Sequence, residues 1–232
     1  MVVPVRAFGS VALKSCLERH PFVAIESFDE QALKRMDFTT NRQRHVYQGN
    51  PTVGLYGLTE LMDNNPLVCA DEASVTGAAA SLVMIALGPL AKAELISSMP
   101  AIALNFGPAT DEIDTALAGE GWDGGSVVAT EDGDPDVFIA ECICEIRVPD
   151  SIKDIDALYD ECFGRSFFVR TGPAPASGEA YASYALDVED HGEGTALAKV
   201  TASAFREGKC GAGGLVHMFN VMCGFEESLG VA

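Results

Sequence analysis

The chain of 232 residues is short of cations, with 15 Lys+Arg against 34 Asp+Glu and a formal net charge of −19. Phosphate backbones are held by Lys and Arg, so this balance argues against direct nucleic-acid binding. It argues equally against an anionic membrane surface. The four histidines are scattered without ligand spacing, so no metal is expected. There is no glycine-rich dinucleotide fingerprint, no P-loop and no nucleophile elbow. The seven cysteines are odd in number and include no C-x-x-C pair, which leaves reduced thiols and a cytoplasmic setting as the economical expectation. Met1-Val2-Val3-Pro4-Val5-Arg6 is not followed by the long apolar run of a secretory signal. No internal repeat is present.

What is there suits a globular fold. Hydrophobic residues make up 48% and charged residues 21%, which places the chain outside the disordered class. The most apolar stretch, Val75 to Ala93, follows Asp71 and Glu72 and ends around Gly88-Pro89 and Lys92, so it reads as a buried helix and not a membrane span. Within it the helix covers Ala78 to Leu90, with Ser74 or Thr76 as cap. Val11 to Arg19 has helical spacing, and Phe22 to Ile25 is a short apolar run. Asp37 to Asn50 is polar and carries Arg42, Arg44 and His45, the one cationic cluster. Leu67-Val68-Cys69 and Pro100 to Phe106 read as strands, and Gly107 to Pro135 as loop, with Glu131-Asp132-Gly133-Asp134-Pro135-Asp136 a solvated turn.

Val137 to Val148 alternates as a strand, which puts Cys142 and Cys144 on one face. Ser151 to Phe163 reads as a capped helix with Ile152, Ile155, Leu158 and Tyr159 on its apolar face. Phe167 to Arg170 reads as a strand. Tyr181 to Val188 and Thr195 to Phe205 form a hairpin through Asp190-His191-Gly192-Glu193-Gly194. Gly211-Ala212-Gly213-Gly214 opens a final helix to Cys223. This order predicts an α/β or α+β chain with a mostly antiparallel sheet in its second half.

Two stretches resemble the N-acetyl-gamma-glutamyl-phosphate reductase family and its carrier-protein-dependent relatives. Tyr56-Gly57-Leu58-Thr59-Glu60-Leu61 is similar to that family's Tyr-Gly-Leu-Pro-Glu. Lys209-Cys210-Gly211-Ala212-Gly213-Gly214, followed by Asn220-Val221-Met222-Cys223-Gly224-Phe225-Glu226-Glu227, is similar to its Lys-Gly-Ala-Ala-Gly-Gln-Ala and Asn-Leu-Met-x-Gly-x-x-Glu. Leu158-Tyr159 through Phe168-Val169-Arg170 matches the connection between them. The resemblance covers about Tyr47 to Val231. It implies an α+β domain like the second domain of glyceraldehyde-3-phosphate dehydrogenase-type enzymes over 51–232, with the remnant of a truncated α/β nucleotide-binding domain over 1–50.

The departures decide the expected chemistry. The family's nucleophilic Cys falls on Ala73, and its His falls near Glu141. Thioacyl chemistry needs a thiolate and a base, and a nicotinamide cofactor needs a glycine-rich phosphate loop. No cofactor is therefore expected. Glu141, Asp71 and Glu72 are the candidate catalytic carboxylates, Glu141 because a lone charge in an apolar strand is costly. Arg170, Lys209 and the turn at Gly211 and Gly213 are candidates for holding an anion. Ser74, Thr76, Asn105, His45 and His217 complete the expected pocket.

The function expected from the resemblance is non-redox work on an amino-acid derivative attached to an acidic amino-group carrier protein. Its most concrete form is closure of an aziridine ring with loss of sulfate, similar to the role of degenerate, cofactor-free proteins in azinomycin-type antibiotic pathways. The alternative is a non-catalytic subunit that binds a carrier or completes a partner's site. A companion subunit or a second copy of the chain is expected as partner.

Overall fold

The computed structural model describes residues 2–32, 34–107, 111–131, 133 and 135–231. Its first half is built on β1 (Val3–Gly9), α1 (Val11–Arg19), β2 (Val23–Glu30), β3 (Arg35–Thr39), β4 (Gln43–Gln48), β5 (Tyr56–Gly57), α2 (Asn64–Cys69) and β6 (Glu72–Val75). The second half follows as α3 (Ala78–Lys92), β7 (Ala101–Leu104), α4 (Glu112–Gly119), β8 (Val127–Thr130), β9 (Val137–Arg147), α5 (Lys153–Phe163), β10 (Val169–Thr171), β11 (Ala182–Gly192), β12 (Thr195–Phe205) and α6 (Ala212–Cys223). The chain is thus a mixed α+β protein with two mixed sheets.

The first sheet has the order β2-β1-β3-β4-β6-β5. β3 is antiparallel to both its neighbours, while β1/β2, β4/β6 and β5/β6 pair in parallel. Five strands therefore run one way. The second sheet has the order β10-β11-β12-β9-β7-β8, and its long central strands β11, β12 and β9 are antiparallel. The strand pairing of the first sheet runs across position 50, since β4 on one side of it pairs with β6 on the other.

Two cores follow from the sheet faces. α1 and α6 pack with the first sheet through Leu13, Leu17, Val46, Val75, Leu215 and Phe219. α3 packs with the second sheet, and every residue from Ala79 to Ala91 is buried. A helix apolar all round belongs inside a protein. Among the described residues no helix is long and apolar enough to cross a membrane.

β9 shows how a period of two sorts side chains. Ala140, Cys142, Cys144 and Ile146 face the core, and Glu141, Glu145 and Arg147 face solvent. The seven cysteines are free thiols.

Several local expectations are corrected. Val3, Val5 and Ala7 form the buried face of a strand that the first residues did not suggest. The polar stretch from Asp37 is an antiparallel pair, with Met36, Phe38, Arg44 and Val46 turned inward. Leu67 to Cys69 closes a helix, not a strand. The stretch from Gly107 to Pro135 holds α4, anchored by Ile113, Ala116 and Leu117, and β8. Asp132 and Asp134 of the acidic turn lie outside the described residues. The N-cap of α3 is Gly77, with no side-chain cap, so neither Ser74 nor Thr76 caps it.

Arg44 is a structural cation. Its guanidinium donates to the carbonyls of Leu67, Val68 and Ala70 at the end of α2 and to Met222 near the end of α6. Helix ends leave carbonyls without partners, and a planar five-donor group satisfies several at once.

Candidate functional site

The chain leaves β1 toward β2 on one side and returns to β3 on the other. In open α/β sheets that reversal opens a crevice beyond the carboxyl ends of the parallel strands. Here the crevice is real. Ser10 follows β1, Lys34 precedes the reversed β3, Gln48 ends β4, and Gly77 follows β6. Lys34, Gln48, Gly77, Ala78, Arg206, Glu207 and Cys210 line a cleft of about 320 Å³.

Glu207 is its hub. One carboxylate oxygen, Oε2, accepts from Ser10 Oγ at 3.0 Å, Lys34 Nζ at 3.1 Å and the backbone N–H of Ala212 at 3.4 Å. The Arg206 guanidinium lies over the Phe138 ring, 5.7 Å from its centroid. Behind the cleft, Glu112 accepts from Tyr56 Oη and from the N–H of Gly77, both at 2.7 Å. A Cβ at Gly77 would stand 2.5 Å from Glu112 Oε2, so glycine permits that approach. Burial, reinforced by Glu112, pushes the Tyr56 phenol far above its ordinary value, so it serves as a donor. The thiol lining the cleft, Cys210, is pushed up to about 12 by burial and stays protonated at neutral pH.

The loop that carries Arg206 and Glu207 sends Lys209 the other way, into the interior. Lys209 is fully buried, and its ammonium pairs with Glu60 Oε1 at 2.7 Å. It also donates to His217 Nδ1 at 3.0 Å. With Nδ1 accepting, His217 donates through Nε2–H to Glu227 at 3.1 Å, and Phe168 stacks on the imidazole at 4.2 Å. Burial and the neighbouring ammonium hold His217 below its ordinary pKa, which agrees with this neutral tautomer. Burial alone would raise the Glu60 carboxyl, but Lys209 overrides it and the net displacement is downward. The hydrogen bond from His217 holds Glu227 low as well.

These directions set a pH dependence. His20 is also held low by burial, with its Nε2 facing Asn220 Oδ1 at 2.9 Å. A histidine kept neutral in the fold takes up a proton more readily when unfolded. Stability is therefore full above about pH 6.5 and falls as pH drops below it. Glu60 and Glu227 add a component present above about pH 4.3 and lost as pH falls further. Both have the same sign. The unfolding free energy measured in urea should decline by about 1–2 kcal/mol between pH 8 and pH 5. A flat profile across that range would contradict the neutral histidines.

The expected site residues do not converge. Glu141 lies exposed on the outer face of the second sheet, beside a separate hollow with Asn105 and Glu131. Asn105 itself stitches β7 to β9, donating to Val137 O and accepting from Ile139 N–H. Asp71 is exposed and pairs with Arg42 at 2.6 Å, and Glu72 is exposed on β6. Arg170 is exposed and stacks on Tyr181. His45 pairs with Asp37 at 2.7 Å within the first sheet. Ser74 accepts from the N–H of Asn50, and Thr76 bonds Ser81 at 2.7 Å.

The glycine turn is not an open anion cradle. The N–H groups of Ala212, Gly213 and Gly214 are taken by Glu207 Oε2, Glu207 O and Gly208 O. Gly211 and Gly213 instead let the loop backbone lie against the helix start, where a Cβ on Gly213 would stand 2.7 Å from Gly208 O. Of the expected residues, Lys209 and His217 meet through their side chains, while His45 meets Asp71 and Glu72 only along the strand backbone. Glu60, Glu112, Glu207 and Glu227 were not singled out as site residues. Ala73, the position expected from the resemblance to replace a nucleophile, is fully buried in β6.

The comparisons with known proteins assign nothing further. No protein-family model matches the chain, and no curated protein matches it.

Proposed function

We propose that this chain is a non-redox enzyme on a reductase-like scaffold, with a domain of the glyceraldehyde-3-phosphate dehydrogenase second-domain type. Its substrate is an amino-acid derivative attached to a carrier protein in specialised biosynthesis. The observation that carries this reading is the grouping of one carboxylate, Glu207, with the two cations Lys34 and Arg206 at the strand ends, beside a thiol held protonated.

The reaction that fits is intramolecular displacement. The substrate amine attacks the adjacent carbon, the C–N bond forms, and the C–O bond breaks with its electron pair leaving on sulfate. The amine proton passes to Glu207, and Lys34 and Arg206 receive the departing anion. Glu207 thus takes the role expected of Glu141 or Asp71. With a net charge of −19, the chain gains no long-range attraction to an acidic carrier, so the attached arm is what it recognises. The test is release of inorganic sulfate from a carrier-bound sulfated amino acid, followed by ion chromatography. Release should require the wild-type chain. No release from a substrate that remains bound would refute the reading.

One observation favours a second reading, a subunit of a larger assembly. Val127, Ala101 and Ile143 lie side by side across β8, β7 and β9 on the exposed face of the second sheet. Such a row is suited to burial against another chain. If it is an interface, Ile143→Asp abolishes the larger species in light scattering without unfolding the protein. An unchanged mass would remove this reading.

A further inference from the structure

Beside the Lys209–Glu60 pair, and apart from the cleft, lies a larger cavity of about 590 Å³. Thr59, Glu60, Asp63, Glu161, Arg165 and Glu227 are among its lining residues. Two of these lining residues each carry an anomalous atom. Glu60 Oε2 and Thr59 Oγ1 are buried without a hydrogen-bond partner. The Glu60 side chain is 3% exposed and Thr59 is 3% exposed. Lys209 occupies Glu60 Oε1, and Oε2 is buried without a partner. A buried acceptor left empty costs about 1–3 kcal/mol, and more when it is charged, so a native site of this kind is completed by something.

The lining states the charge of what completes it. Four carboxylates, Glu60, Asp63, Glu161 and Glu227, face the cavity against one guanidinium, Arg165. His217 also lines it, and its Nε2–H is committed to Glu227. An anion would be repelled, and a neutral alcohol would leave the excess of Asp63, Glu161 and Glu227 over Arg165 uncompensated. An ammonium group supplies donors to both Glu60 Oε2 and Thr59 Oγ1, and its charge is opposite to that of the walls.

We propose that the cavity over Glu60 binds a small aliphatic amine in its ammonium form, with one nitrogen on Glu60 Oε2 and Thr59 Oγ1. The second end of a diamine reaches the exposed carboxylates Asp63 and Glu161. The site is separate from the cleft and does not depend on the reaction assigned there.

Putrescine is the probe, titrated into the full chain by calorimetry at low ionic strength. One saturable site is expected, with a dissociation constant on the order of 1 mM or tighter. Glu60→Gln should weaken binding by about tenfold or more, the equivalent of losing one charged hydrogen bond. Because Glu60 also balances buried Lys209, a second variant, Asp63→Asn/Glu161→Gln, changes exposed residues alone and should weaken binding by about fivefold. Added salt should weaken it further. Absence of heat, unsaturable binding over the acidic surface, or affinity unaltered in the Asp63/Glu161 variant would each overturn the proposal. No carrier-bound substrate is present in this titration, so it succeeds or fails apart from sulfate release.

Discussion

Replacing Lys209 by methionine should destabilise the protein by about 3–5 kcal/mol, the range for removing one partner of a buried ion pair. Lys209 is fully buried and its partner Glu60 is nearly so. The substitution keeps the length and apolar stem of the side chain but removes the ammonium. Glu60 is then left as a charge in the interior, and His217 Nδ1 loses its donor. Two features identify the cause. Adding Glu60→Gln to Lys209→Met should recover most of the loss, because the stranded charge is gone. The deficit should also shrink as pH falls. An unpaired buried carboxyl has a raised pKa, so its penalty is relieved on protonation and grows as pH rises through that value. Urea unfolding of the two single variants and the double variant at pH 7 and pH 5 measures both. A loss under about 1 kcal/mol for Lys209→Met would mean that water screens the pair.

The second large effect concerns chemistry. Glu207→Gln should lower turnover by about 10²–10⁴-fold, the range for removing a positioned general base. The amide oxygen can still accept from Ser10, Lys34 and the N–H of Ala212, so the loop and the start of α6 keep their geometry. The Lys34–Glu207 pair is partly exposed, and its loss should change stability by no more than about 1 kcal/mol. The expected signature is a fall in kcat with KM little altered, because Lys34 and Arg206 still hold the anionic end of the substrate. Steady-state kinetics with a melting curve on the same sample separates this from unfolding. Turnover within a factor of a few of wild type would remove Glu207 from the mechanism.

Much of the second half of the fold was legible because its periods are strong. The β9 alternation, the apolar run of α3, the stripe of α5 and the β11–β12 hairpin each stand out locally. The first sheet was less visible. β1 contains Pro4 and Arg6, β3 carries Arg35, Asp37 and Thr39 outward, and β4 carries Gln43 and His45 outward, so their buried faces of two or three residues were masked by polar neighbours. Arg44 reads as a surface cation, yet it is buried because four carbonyls from two helix ends meet there.

The site was legible only in pieces. Lys209 and His217 stood out because they lie in one short run at the start of α6. Their partner Glu60 is 149 residues earlier, and no local pattern joins them. Glu207 is one acid among 34 Asp+Glu and shows itself only when the fold brings Ser10 and Lys34 to it. Glu141 faces outward for a reason the sequence did contain. Ala140, Cys142, Cys144 and Ile146 already define the inner face of β9, which turns Glu141 outward.

The central claim is that the chemistry of this chain is displacement without redox. Mass spectrometry of a carrier-bound sulfated amino acid, incubated with the purified chain and no nicotinamide, tests it most directly. The predicted result is a product lighter than the substrate by the elements of sulfuric acid, formed by wild type and not by Glu207→Gln. A mass change that appears only when NADPH is added would contradict it.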